Sequence, residues 1–266
     1  MTRSFAVVIP ARYASTRLPG KPLLDLAGKP MIQWVYEAAT GSGASSVVVA
    51  TDDERIRDAV LGFGGRVVMT AADHATGTDR VAQAALELAE EVIVNVQGDE
   101  PFLDPALIDL VAEPLLVDPT LPMSTLAHPL LDLEEIFNAN VVKVACNRAG
   151  FALYFSRAPI PFDRELFAAR LAHGPTHGER MEFGLNQIGW LRHVGLYAFR
   201  ADFLQTFARL EPTPMEQLER LEQLRALEHG YGIRVLVTPH GVKGGVDVPD
   251  DLVHARRLIA AMNEKG

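Results

Sequence analysis

FAVVIPARYASTRLPGKP, residues 5–22, decides the fold. Its first five residues are apolar without alternation, which predicts a strand buried on both faces, as in a parallel sheet. No tight turn follows. A long polar loop runs from Pro10 to Lys21 instead, and the next periodic segment, opened by Pro30, sets Met31, Ile32, Val35 and Ala38 on one helical face before Gly41 and Gly43. Strand, loop and helix make the first half of a parallel crossover unit. Outward from it the alternation repeats, with strands over Ser46–Ala50, Arg66–Met69 and Val92–Val96. Helices are predicted over Asp53–Phe63 and over Thr78–Glu90, the latter capped by Thr78. The expected fold class is α/β, a mostly parallel central sheet with flanking helices.

Beyond residue 100 the pattern loosens. Pro105–Val117 predicts a helix, Met123–His128 and Val141–Cys146 strands, and Gly150 a hairpin turn into Ala152–Phe155. From Pro159 to Gly189 the prolines, glycines and charges predict a long irregular insertion. Trp190–Phe199 and Ile233–Val237 read as strands, Met215–His229 as one strong amphipathic helix, and Pro249–Met262 as a terminal helix. No repeat or linker divides the chain.

With 48% apolar and 22% charged residues over 266 positions, the chain can bury a full core, which excludes a disordered or collagen-like protein. Lys plus Arg number 25 against 34 Asp plus Glu, a net charge of -9 that excludes a phosphate-neutralising face for nucleic acid. An anionic substrate must then be gripped by a local basic cluster. The single cysteine, Cys146, allows no intramolecular disulfide. The apolar stretch in MTRSFAVVIPAR is too short for a signal segment or a membrane span, so a cytoplasmic protein with no membrane contact is expected.

Such a cluster exists. Arg12, Arg17 and Lys21 gather beside Gly20 in the loop after the first strand, where open α/β sheets bind ligands. Lysine occurs only at 21, 29, 143, 243 and 265, so one between Gly20 and Pro22 suits a phosphate; a solvated surface loop is the competing reading. Pro22 stands where a P-loop needs Ser or Thr, and Gly41-x-Gly43 precedes a strand, which sets aside P-loop and dinucleotide readings. After Val92–Val96, Gln97-Gly98-Asp99-Glu100-Pro101 places carboxylates beside a glycine, and Asp99 suits magnesium held partly by substrate phosphates. Asp247 either shares that metal or caps the last helix, while Asp104 before Pro105 reads as a cap. Ala72 to Arg80 leads into a helix whose N-terminus, with Arg80, suits an anion. His173 and His177, among Gly174, Pro175 and Gly178, read as loop histidines rather than a zinc site, and Cys146 as packed core.

With these residues in view, the chain resembles the 3-deoxy-manno-octulosonate (Kdo) cytidylyltransferase family over nearly its full length. IPARYASTRLPGKPL at 9–23, ADHATGTDR at 72–80, NVQGDEP at 95–101, FNANVVKV at 137–144, ALYFSRAPIP at 152–161, RHVGLYAFR at 192–200, LEQLRAL at 221–227 and GVDVPDDL at 245–252 follow its order. The resemblance implies a Rossmann-like nucleotidyltransferase domain over 1–266, with a smaller, irregular sugar-binding and dimerisation region at roughly 123–230. It implies transfer of the cytidylyl group of CTP to Kdo for lipopolysaccharide synthesis by a homodimer using Mg2+, with another acidic sugar as the alternative acceptor. Arg12, Lys21 and Asp99 become the catalytic residues. Pro10, Ala11, Arg12, Arg17, Lys21, Ala72, Asp73, Gly77, Arg80 and Gln97 become the nucleotide site, and Asp99 and Asp247 the metal ligands. Arg157, His193, Tyr197, Glu222 and Gln223 fall to the sugar. The chain departs from the family at Val248, where Thr is common, at Ala139, where Pro is frequent, and in a longer stretch from His173 to Ile188.

Overall fold

β1 (Phe5–Ala11) forms where the apolar run demands it, with Ala6 to Ile9 fully buried. The computed structural model describes residues 4–14, 18–164, 167, 189–239, 241, 245, 246 and 248–263. After β1 the chain continues through β2 (Asp25–Leu26), β3 (Lys29–Pro30), α1 (Met31–Thr40), β4 (Ser46–Thr51), α2 (Glu54–Gly62), β5 (Val67–Met69), α3 (Gly77–Ala85), β6 (Val92–Asn95) and α4 (Pro105–Val117). Then come β7 (Met123–Pro129), α5 (Leu133–Phe137), β8 (Lys143–Cys146), β9 (Ala152–Ser156), β10 (Leu191–Arg200), α6 (Ala201–Phe207), α7 (Pro214–Glu219), α8 (Leu224–Glu228), β11 (Ile233–Val237) and α9 (Pro249–Asn263).

Two compact units result. One comprises the described residues of Met1–Thr120, Leu196–Arg209 and Lys243–Gly266, the other those of Leu121–Gly195 and Leu210–Val242. In the first, β4 and β6 flank β1 in parallel, Val8 pairing with Val48 on one side and Asn95 on the other, and β5 extends the sheet beyond β4. The second half of β10 adds an antiparallel edge, Tyr197 opposite Asn95. α1 packs through Met31, Ile32, Val35 and Ala39, and α4 through Ile108, Val111, Ala112 and Leu115. Asp104 caps α4 as expected, accepting from the Ala106 N–H at 2.9 Å. Leu26, Met31, Val246, Ala255 and Ile259 tie β2, α1 and α9 into a satellite cluster.

In the second unit β7 and β11 run parallel, Met123 opposite Ile233. β8 and β9 form the expected hairpin, Lys143 opposite Ser156, and the start of β10 pairs with β8. Leu130, Leu133, Ile136, Val141, Phe167 and Trp190 make its core cluster. The fold is thus a mostly parallel α/β sheet with flanking helices, mixed by antiparallel strands. Among the described residues no helix is long and apolar enough to cross a membrane.

Four local expectations change. Thr76, not Thr78, caps α3: its Oγ1 accepts from the Asp79 N–H at 3.1 Å, and Asp79 Oδ2 accepts from the Thr76 N–H at 3.0 Å. α3 ends at Ala85 instead of Glu90, because the chain turns to deliver the Glu90 carboxylate to the Ser45 and Ser46 hydroxyls. α5 and α6 had no sequence signal strong enough to predict them; α6 is held by burial of Phe203, Leu204 and Phe207 rather than by helix propensity. The helix expected over 215–229 breaks at Arg220, whose φ of 54° is left-handed. Glu216 and Arg225 then meet in a buried bidentate pair at 2.9 and 2.5 Å. In one continuous helix they would lie roughly 13 Å apart along the axis. Residues 165, 166 and 168–188 of the expected insertion, His173 and His177 included, lie outside the described residues.

Candidate active site

From β1 the sheet grows outward through β4 and β5, and β6 then returns to the other side of β1. The carboxyl ends of β1 and β6 therefore flank a switch point, where loops part and a ligand finds a crevice. A Cβ on Gly98 would lie 2.9 Å from the Pro10 carbonyl, so only glycine lets the two strand ends approach. The loop after β1 folds back on itself: Gly20, at φ 68°, donates its N–H to Tyr13 O at 3.0 Å, and Arg55 stacks on the Tyr13 ring at 3.3 Å. That return delivers Lys21 to Asp99, with Nζ 2.6 Å from Oδ2.

The opposite wall is the start of α3. Its capping box fixes the first turn, so the positive end of the helix dipole and Gly77 face the cleft. Arg80 follows, buried, with Nη1 3.1 Å from Asp52 Oδ1 and donating to Thr70 Oγ1 at 2.5 Å. The walls enclose a cleft of about 370 Å³. Three cations, Arg12, Lys21 and Arg80, line it against one carboxylate, Asp99, inside a chain of net charge -9. Such a local excess of positive charge attracts and holds a polyphosphate.

Pro10, Ala11, Arg12, Lys21, Gly77, Arg80, Gln97 and Asp99, all named from the sequence, line this one cleft. Ala72 and Asp73 are exposed and do not line it, because the side chain that turns inward from their loop is His74. Arg17 lies outside the described residues. Sequence reasoning missed His74 and Thr76. The Thr76-x-x-Asp79 capping box was a legible signal for the second. His74 had none: it is held by Gln83 Oε1, which accepts from both His74 Nε2 at 2.5 Å and the Ala71 N–H at 2.9 Å.

A hard cation would find oxygen donors here. Asp99 keeps a third of its side chain exposed and already holds the Lys21 ammonium. The Val246 N–H donates to Asp99 O at 2.9 Å, and a Cβ on Gly245 would come 2.9 Å from that same carbonyl and 3.0 Å from Glu100 Oε1. The backbone just before Asp247 thus lies against Asp99 and Glu100; Asp247 itself is outside the described residues. Among the described residues no group of three or more His, Cys, Asp and Glu could hold a metal ion alone. A magnesium ion sharing its shell with phosphate oxygens fits this oxygen-only, part-open donor set.

Of the residues the sequence resemblance assigned to the sugar, Arg157, His193, Glu222 and Gln223 belong to the second unit and Tyr197 to the first. The Arg157 guanidinium donates from Nε to Glu219 O at 2.7 Å and from Nη1 to Ala139 O at 3.0 Å. His193 packs its ring edge on Phe155 and contacts Thr125 Oγ1 through Nε2 at 3.0 Å. The Thr125 hydroxyl also donates to Val194 O at 3.1 Å. Burial pushes the His193 pKa well down, so the ring is neutral at physiological pH. Gln223 is buried, its Nε2 without a hydrogen-bond partner among the described residues, in the turn between α7 and α8. Cys146, expected in the packed core, is only half-buried, and burial pushes its thiol up to about 11.

A family model described as Cytidylyltransferase matches residues 6–235. Among curated proteins, the 3-deoxy-manno-octulosonate cytidylyltransferase of Syntrophotalea carbinolica is 55% identical over 260 residues, spanning 97% of this chain and 100% of the relative. That of Idiomarina loihiensis is 52% identical over 258 residues, spanning 96% and 98%. A solved structure of CMP:2-keto-3-deoxy-manno-octonic acid synthetase complexed with CTP superposes with a TM-score of 0.86 at 41% identity, covering 97% of this chain and 99% of that one. A 4-diphosphocytidyl-2C-methyl-D-erythritol synthase from Anaerococcus prevotii, at 10% identity and TM-score 0.57, shares the fold alone.

Proposed function

This chain belongs to the cytidylyltransferase family, and on that premise we propose that it transfers the cytidylyl group of CTP to the anomeric hydroxyl of Kdo, giving CMP-Kdo and pyrophosphate. The observation that carries the reading is the cleft at the switch point, where Lys21, Arg80 and the start of α3 face one another across Asp99.

The hydroxyl oxygen on the anomeric carbon bonds to the α-phosphorus as the bond from that phosphorus to the bridging β-oxygen breaks. The hydroxyl proton passes to water, and pyrophosphate departs with the bonding pair. No covalent enzyme intermediate is needed. Lys21 and Arg12 offset the charge gathering on the leaving pyrophosphate, and the α3 N-terminus with Arg80 orients the nucleotide. Asp99 and Asp247 are the residues proposed to hold Mg2+. Bound there, the ion supplies Lewis-acid neutralisation of the triphosphate. Arg157, His193, Tyr197, Glu222 and Gln223 are assigned to the sugar acid, Arg157 facing its carboxylate. The same reading takes the enzyme as a cytoplasmic homodimer whose product feeds lipopolysaccharide synthesis; sedimentation at micromolar concentration tests the dimer.

Pyrophosphate release, measured with each nucleoside triphosphate against a panel of sugar acids, is expected only with CTP and fastest with Kdo. Cytosine and uracil differ at one amino group and an adjacent ring nitrogen, so a site fitted to one leaves polar groups unpaired with the other. Equal rates with UTP, or a preference for sialic acid, would overturn the assignment. Asp99→Asn is expected to lower turnover by orders of magnitude while circular dichroism stays unchanged. Near-normal turnover in that variant, or full activity in excess chelator, would remove the metal from the proposal.

A further inference from the structure

We propose that Glu219 is a positioning residue that sets Arg157 for the carboxylate of the sugar acid, an inference that rests on the sugar-side reading above. Glu219 ends α7 and holds three neighbours of β9. Its Oε1 accepts from the Ser156 hydroxyl at 2.5 Å, its Oε2 from the Arg157 N–H at 2.9 Å, and its backbone carbonyl from Arg157 Nε at 2.7 Å. Tyr154 lies on the same strand face as Ser156, and its pKa is raised first by burial and then by the nearby Glu219 carboxylate.

Two further bonds complete the clamp. Arg157 Nη1 donates to Ala139 O at 3.0 Å, and Lys143 Nζ donates to Arg157 O at 2.6 Å. Arg157 is therefore fixed at its backbone N–H, its carbonyl, Nε and Nη1. A guanidinium has five N–H donors, and with Nε committed its side-on edge is spent. One Nη1 hydrogen and both Nη2 hydrogens are the donors left over for a carboxylate, on a guanidinium whose place is already set by its bonds to Glu219 O and Ala139 O.

Glu219 does a second thing. Its carbonyl can reach Arg157 only because the helix stops there, and Arg220 takes up the left-handed turn at φ 54°. Glu222 and Gln223 follow at once, so the contact that fixes Arg157 also fixes where that turn begins. The backbone carbonyl, which every variant at 219 keeps, thus ties Arg157 to the start of that turn, while the carboxylate acts on Arg157 through its own N–H and its neighbour Ser156.

The test is steady-state kinetics, each substrate varied in turn, on Glu219→Ala, Glu219→Gln, Arg157→Ala and the double variant Glu219→Ala/Arg157→Ala, with a melting curve for each. Gln keeps one acceptor where the carboxylate used two, so Glu219→Gln is the milder change and reads the proposal should Glu219→Ala fail to fold. The KM for the sugar acid is expected to rise about tenfold in Glu219→Ala and severalfold in Glu219→Gln, with the KM for CTP within about twofold. In the Arg157→Ala background, Glu219→Ala is expected to add nothing further, since the group it positions is gone. A purely structural role would lower the melting temperature and move both constants together, which overturns the proposal. Should Arg157→Ala raise the sugar KM while both Glu219 variants leave it unchanged, positioning is refuted and the sugar-side reading stands. Should Arg157→Ala itself leave the sugar KM unchanged, that reading falls and takes this inference with it.

Discussion

Lys143 has no solvent-exposed surface, yet its three ammonium hydrogens all find acceptors: Asn138 O at 2.9 Å, Val141 O at 2.5 Å and Arg157 O at 2.6 Å. Desolvation pulls its pKa below the ordinary lysine value, and three carbonyls compensate the charge that burial penalises. The lysine thereby binds the 138–143 loop to the end of β9. Lys143→Met keeps most of the volume and leaves those carbonyls without a donor. The expected loss is about 2–4 kcal/mol, since each buried unsatisfied acceptor is worth roughly 1–3 kcal/mol and two of the three can be partly rehydrated. Urea denaturation with an unchanged m-value reads it; a variant within about 0.5 kcal/mol of the parent would show that the carbonyls find other donors. The sequence marked Lys143 only as one of few lysines. Its partners are backbone carbonyls, which no residue pattern displays.

Elements whose cause is local were legible, and those whose cause is a distant contact were not. β1 and β6 are unbroken apolar runs, and α4 carries its own cap and proline at its start, so their positions follow from the chain alone. The segment from Pro214 to Glu228 also has helical periodicity, but the helix stops at Glu219, whose freed carbonyl is taken by Arg157, sixty-two positions away. Arg220→Gly separates the two descriptions by sign. At φ 54° an L residue carries a penalty of roughly 1 kcal/mol that glycine escapes, so the exposed Arg220→Gly change is expected to leave stability equal or higher, by up to about 1 kcal/mol. In the interior of a continuous helix the same change would cost about 1 kcal/mol. A clear loss on thermal or urea unfolding would restore the unbroken helix.

Across the whole molecule, the basic cleft was readable because its logic is one of position: basic and acidic residues at the carboxyl ends of predicted parallel strands must converge if the sheet forms, and Arg12, Lys21, Gly77, Arg80, Gln97 and Asp99 do. The residues assigned to the sugar came from resemblance, and the bonds that Glu219 and Lys143 make to Arg157 came only from the fold. The charge state of the whole chain makes a further prediction. His193 and His128 both have pKa values lowered first by desolvation, His193 to about 3 and His128 against an opposing bond to Pro129 O. His193 is therefore neutral when folded across this range, while in the unfolded chain it titrates at about 6.5. A depressed folded pKa means stability that is present above the unfolded value and is lost as pH falls toward the folded one. Between pH 7.5 and pH 5 the unfolded chain takes up protons that the native structure refuses, so the melting temperature is expected to fall across that interval, before the lowered carboxylates Asp53, Glu37 and Glu90 begin to protonate. His193→Gln removes one such group. Whatever its stability at pH 7.5, its further loss on acidification is expected to be shallower than the parent's, by up to about 1.4 kcal/mol per pH unit below 6.5. Parallel slopes for the two proteins would mean that His193 accepts a proton in the folded state, and the neutral buried ring would be wrong.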